Sequence, residues 1–136
     1  MKEEKHLETL NEVVDEIESA LKDNRGLVFH QRRLAFSISL GAVNILEIYF
    51  HNLNIIKEGS QINHLWFRKG KDNILEQLRN QVIVNINSID KINEIIDLII
   101  KIEEKRDALA YGAPATEKIL QEKINLFFEL RSLTKC

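Results

Sequence analysis

Arg106, Asp107 and Tyr111 are the side chains in this sequence best placed to do chemistry. A guanidinium is planar and permanently charged, and it holds phosphate or carboxylate through paired, charge-assisted hydrogen bonds. Upstream, Ile92, Ile95, Ile96, Ile99 and Ile102 recur at helical spacing. On a continuous helix Arg106 falls within about 20° of both Ile95 and Ile99. A guanidinium that extends an isoleucine stripe must be paired, wet or at an interface, because burying it alone is expensive. Glu103 lies near the same face. The plain alternative is therefore a helix end leaving the core, with Glu103 and Arg106 as an i,i+3 ion pair.

Other candidates carry less. His6, His30, His51 and His64 show no i,i+4 pairing and no companion cysteine at ligand spacing, so neither a metal site nor a cofactor is expected. His64, beside Trp66 and Phe67, reads either as a pocket residue or as part of an aromatic plug over a bundle end. The basic clusters are Arg32-Arg33 and Arg68-Lys69-Lys71. Either can track a phosphate backbone if folding brings it near Arg106; otherwise both are solvated helix ends. Cys136, the single cysteine, cannot pair within the chain and reads as an exposed bystander, which fits a reducing compartment. With no Ser-His-Asp set, phosphate-binding glycine loop or inward Glu-x-x-His pair, hydrolase, kinase and di-iron chemistry lack support.

The elements that must position these residues are helices. Five glycines and one proline in 136 residues are roughly a third of the usual share, too few for sandwiches, barrels or glycine-rich loops. Apolar spacing predicts helices over residues 2–23, 27–56, 72–80, 89–110 and 116–133. The second is the most apolar and carries Ala35, Ser37, Ser39, Gly41 and Ala42, small enough to let neighbouring helices approach; it should be central. Gly26 is expected to cap the first helix, Asn87 or Ser88 to open the fourth, and Gly112 with Pro114 to close it. Residues 81–87 alternate weakly, and without a visible strand partner they read as linker or helix continuation.

The length suits one domain, residues 1–136. A net charge of −2 gives no general pull toward nucleic acid, so any anion site must be local. The amino terminus is charged rather than apolar, and no run approaches the ~18 uninterrupted apolar residues of a membrane helix. The expectation is a cytoplasmic protein that does not engage membranes.

The string Lys105-Arg106-Asp107-Ala108-Leu109-Ala110-Tyr111-Gly112 resembles the signature of HEPN domains: Arg, commonly followed by Asn, Asp or His, then three residues, then His. The order of a long second helix, a linker with His64-Leu65-Trp66-Phe67, a further helix, the motif helix and a closing amphipathic helix is similar as well. The resemblance implies an all-α, compact up-and-down bundle of four to five helices that forms a homodimer. It also implies binding of RNA or a nucleotide, and metal-independent endoribonuclease activity of the kind found in toxins paired with nucleotidyltransferase antitoxins. Arg106 would then hold phosphate, with Asp107 orienting it or closing the site, and Arg32, Arg33, His64 and Glu103 would contribute to binding.

Tyr111 stands where the family has His. A phenol with pKa near 10 is a poor general base, though it can hydrogen-bond phosphate or stack on a base. The tyrosine that the family's antitoxins modify sits two residues after that His, where this chain has Ala113. On a regular helix Tyr111 points about 140° away from Arg106, so the two converge only if the chain unwinds or a second copy completes the site. A second reading, from another class, is a non-catalytic dimeric interaction module in which Arg106 simply pairs with Glu103.

Overall fold

A computed structural model describes residues 3–135; Cys136 lies outside them. Helix α1 spans Glu3–Lys22, α2 Gln31–Asn52, α3 Lys71–Arg79, α4 Ile92–Glu103, α5 Arg106–Tyr111 and α6 Glu117–Thr134. Short 3-10 turns cover Leu27–His30, His64–Arg68 and Ile86–Ser88. No strand forms among the described residues, and the architecture is an all-α helical bundle.

Helix α2 is its axis and packs against α1, α4, α5 and α6. A helix apolar on nearly every side has to be surrounded by others. The 27–52 segment is long and apolar enough to cross a membrane by length and composition, yet most of it is covered by the bundle. Leu34, Ile45, Leu46, Ile48 and Phe50 of α2 are fully buried with Ile17, Ile95, Ile96 and Phe127, each worth roughly 1.5–3 kcal/mol on burial. Gly41 is where close approach is obligatory: a Cβ there would lie 2.6 Å from Phe127 Cε2 and 2.9 Å from Val13 Cγ1.

Several boundaries differ from the periodicity, each for a local reason. The second helix stops at Asn52, where Asn54 takes a positive φ of 57°. Gly26 has positive φ but enters the following 3-10 turn instead of capping α1. Its neighbours Leu27 and Val28 donate their N–H groups to the Glu117 carboxylate at 2.9 and 3.0 Å. Residues 81–87 do find a partner. Val82 bridges Ile56, with Lys57 N donating to Gln81 O at 2.9 Å and Ile83 N to Ile55 O at 2.8 Å. Asn87 and Ser88 sit in a 3-10 turn, and α4 begins only at Ile92, after Lys91 in the left-handed region.

The largest departure concerns the expected 89–110 helix, which breaks at Glu104 and Lys105. Glu104 is extended at ψ 128° and Lys105 is left-handed at φ 60°. Neither is a residue type that announces a break. What holds the break is Lys123 of α6, whose Nζ donates to the carbonyls of Lys101, Ile102 and Glu104, the last at 2.7 Å. A cation there satisfies the carbonyls that a helix end leaves open and complements its dipole. Burial lowers the Lys123 pKa.

Candidate functional site

Once the helix breaks, Arg106 no longer continues the isoleucine stripe, because it opens α5 on a new axis. Its side chain is 14% exposed and its guanidinium lies over the Phe36 ring, 4.9 Å from the centroid. The pairing with Glu103 does not occur. Arg106 instead donates to Asp107 Oδ1 at 3.1 Å, and its buried Nε has no hydrogen-bond partner. A buried donor left open is uncommon enough in folded proteins to mark a place where water or a ligand belongs.

Glu103 has other partners. Its side chain is 1% exposed; it accepts a short hydrogen bond from Ser39 of α2. His64 Nδ1 lies 3.4 Å, and Arg68 Nε 3.9 Å, from its Oε2. His64 and Arg68 are one turn apart in the 3-10 segment, which starts with the Asn63 side chain accepting from Leu65 N at 2.9 Å. Glu103 thus fastens the 64–68 turn to the end of α4. The Arg68 fork reaches onward, donating to Asp107 Oδ2 and Oδ1 at 2.9 and 3.0 Å. Asp107 is 57% exposed and serves both arginines. The Arg68 hydrogen bonds, more than those of Arg106, hold its carboxyl below the usual carboxylate range.

The resulting chain of contacts runs from Ser39 through Glu103, Arg68 and Asp107 to Arg106 and Phe36. It borders a cavity of about 400 Å³ lined by Arg68, Glu103, Glu104, Lys105, Arg106 and Asp107, among others, within the usual range for small-molecule sites, about 300–1,000 Å³. Three cations face three carboxylates, so the wall is neutral overall while remaining densely polar.

Of the candidate residues, Arg106, Asp107 and Glu103 line this cavity, and His64 joins them through Glu103 from outside the lining. Tyr111 does not reach Arg106 directly. It is 71% exposed, and its ring meets Phe36 edge-on with centroids 5.8 Å apart. Tyr111 and Arg106 therefore flank one phenylalanine and do not converge on a common atom. Arg33 is engaged elsewhere, with its Nε 2.9 Å from Glu16 Oε1 and its fork on His30. Arg32 borders a separate hollow beside Gly112 and Pro114. Of the two basic clusters it is Arg68, not the Arg32-Arg33 pair, that joins Arg106. Phe36 and Ser39, one turn apart on α2, complete the site from the central helix. Their only sequence signal is that Phe36 falls outside the buried phase set by Leu34, Ile38 and Ile45.

No family model, curated protein or solved structure matches the chain.

Proposed function

We propose that the chain is a HEPN-like homodimeric protein that binds the phosphate of RNA or of a nucleotide in the cleft between the 64–68 turn and α5. The observation that carries this reading is the pair of arginines, Arg68 and Arg106, gathered on one exposed carboxylate at the mouth of a cavity. Arg106 stacked on Phe36 and Arg68 braced by buried Glu103 are held in place before any ligand arrives, which lowers the ordering cost of binding. Where the ligand is RNA and is cut, His64 is the group suited to proton transfer. Glu103 orients its Nδ1 and leaves the ring 30% exposed, whereas Tyr111 lies across Phe36.

The experiment is binding and cleavage of RNA by wild type and by Arg106→Ala. Phosphate-dependent binding that weakens at least about tenfold in the variant is expected, since a charge-assisted pair contributes roughly 1.5–3 kcal/mol. Binding that is absent in the wild type, or equal in both proteins, refutes the reading.

One observation favours the alternative, a catalytically inactive interaction module. Phe36, Leu40 and Tyr111 leave large apolar or aromatic side chains 39, 49 and 71% exposed. In that reading Tyr111→Ala and Leu40→Ser weaken self-association in sedimentation experiments, and no phosphate ligand is bound.

A further inference from the structure

The charge arithmetic of the cleft selects among phosphates. Asp107 already occupies the Arg68 fork with both oxygens and takes one donor from Arg106. A planar carboxylate accepting two parallel N–H groups is the internal counterpart of a bound phosphate. Anything that enters must displace it or sit beside it. With Asp107 in place the wall gives no excess of positive charge, because Arg68, Lys105 and Arg106 are matched by Glu103, Glu104 and Asp107; displacing Asp107 frees a single positive charge.

An internal phosphodiester carries a single negative charge. Exchanging it for Asp107 replaces one monoanion by another and gains little. A terminal phosphate monoester carries about −1.5 to −2 at neutral pH and has three free oxygens. It can replace Asp107 on the Arg68 fork and still offer an acceptor to the Arg106 terminal nitrogen that Asp107 vacates. Asp107 can leave at small cost because it is exposed. Arg68 and Arg106 stay behind, fixed by Glu103 and by Phe36. The cavity, about 400 Å³ in volume, has room for one nucleotide-sized group.

We infer that the Arg68–Arg106 cleft takes a terminal phosphate monoester, on a nucleotide or at an RNA end, in preference to an internal phosphodiester, and that Asp107 is the internal competitor that either ligand must displace. The inference rests on the phosphate-binding reading above and narrows it toward chain ends and free nucleotides.

The test measures binding by calorimetry to wild type and Asp107→Asn at fixed salt. The probes are adenosine 5′-monophosphate, the dinucleoside monophosphate ApA, and one oligoadenylate with either a 5′-phosphate or a 5′-hydroxyl. Wild type is expected to bind a 5′-phosphorylated probe at least about tenfold more tightly than ApA or the 5′-hydroxyl oligomer. Tight binding of the mononucleotide identifies free nucleotide as ligand. Tight binding of the 5′-phosphorylated oligomer alone identifies an RNA end. Asp107→Asn should raise the affinity for ApA, because the internal competitor is gone. Equal affinity of wild type for monoester and diester overturns the inference, as does an Asp107→Asn variant whose ApA affinity is unchanged; in both cases the phosphate site itself survives. Failure of every probe to bind either protein removes the underlying reading as well.

Discussion

Two buried carboxylates hold the same stretch of chain at its two ends, and they do so differently. Glu47 of α2 accepts the backbone N–H of Ile62 and lies 2.5 Å from His6 Nε2, while His6 Nδ1 donates to Asn44 Oδ1 at 2.7 Å. Asn44 in turn donates to Leu40 O at 2.8 Å. Glu103 holds His64 and Arg68 at the other end. The Glu47 network is sealed, with His6 and Glu47 side chains 2 and 6% exposed. The Glu103 network is buried only at its centre, and its partners His64 and Arg68 are 30 and 33% exposed. Apart from His6 Nε2, which meets Glu47 as a close ion pair and makes no hydrogen bond, the polar groups of the Glu47 network are matched inside the protein, and a network closed in this way contributes to holding one structure. An open one leaves donors at the surface, and that surplus is what a ligand can use.

The comparison is broken most severely at Glu47. Glu47→Ala leaves a buried histidine and a buried backbone N–H without their acceptor, and the cost expected from breaking a buried pair is about 3–5 kcal/mol. Denaturant unfolding measures it. Glu103→Ala should cost less, about 1–3 kcal/mol, because His64 and Arg68 can turn to water and only Ser39 is left inside. Its main effect should fall on phosphate binding, which is lost together with the fixed Arg68. If both substitutions destabilise equally and Glu103→Ala binds as wild type does, the distinction between the two networks is void.

Lys123 sharpens the same contrast from a third direction, since it positions the cleft without entering it. Lys123→Met keeps the aliphatic stem but abandons the carbonyls of Lys101, Ile102 and Glu104, at an expected cost of about 1–2 kcal/mol. With the break loosened, Arg106 and Asp107 lose their fixed register to Arg68, and phosphate affinity falls although no ligand contact has been removed. Melting temperature and calorimetry on one variant separate the two effects.

What the sequence disclosed follows from which forces act locally. Apolar periodicity located α1, α2, α3 and α6 because burial is read residue by residue along one helix, and the small residues around Gly41 announced the close approach of α1 and α6. The cap of α6 is Thr116, whose Oγ1 accepts from Ile119 N at 3.2 Å. The break at Glu104 and Lys105 was not legible. It depends on a lysine 18 positions downstream, and left-handed lysines carry no composition signal, unlike glycine. The exchange of Glu103 for Asp107 as partner of Arg106 follows from that break. With a continuous helix the i,i+3 pair forms; with the bend, Glu103 is left facing the 64–68 turn. Arg68 was visible as one of a basic cluster, but which cluster would meet Arg106 is a property of the tertiary fold.

The smallest effect is expected at Asp107, and its pH dependence is the informative part. Arg68, and secondarily Arg106, lower the folded-state pKa of this carboxyl below its ordinary 3.8. A depressed carboxyl contributes stability that is fully present above the unfolded value and is lost as pH falls through the folded one. Wild type and Asp107→Asn should therefore differ by a constant, small amount from neutral pH down to about pH 5, and their melting temperatures should converge as the pH drops below 3.8. The group is exposed, so solvent and salt screen the pair, and added salt should shrink the difference at neutral pH. An Asp107→Asn protein that is as stable as wild type yet binds phosphate more tightly would separate the two roles of the residue. Its carboxylate would then matter chiefly as an occupant of the cleft, whereas Glu103, a few residues away on the other side of the bend, matters chiefly as its foundation.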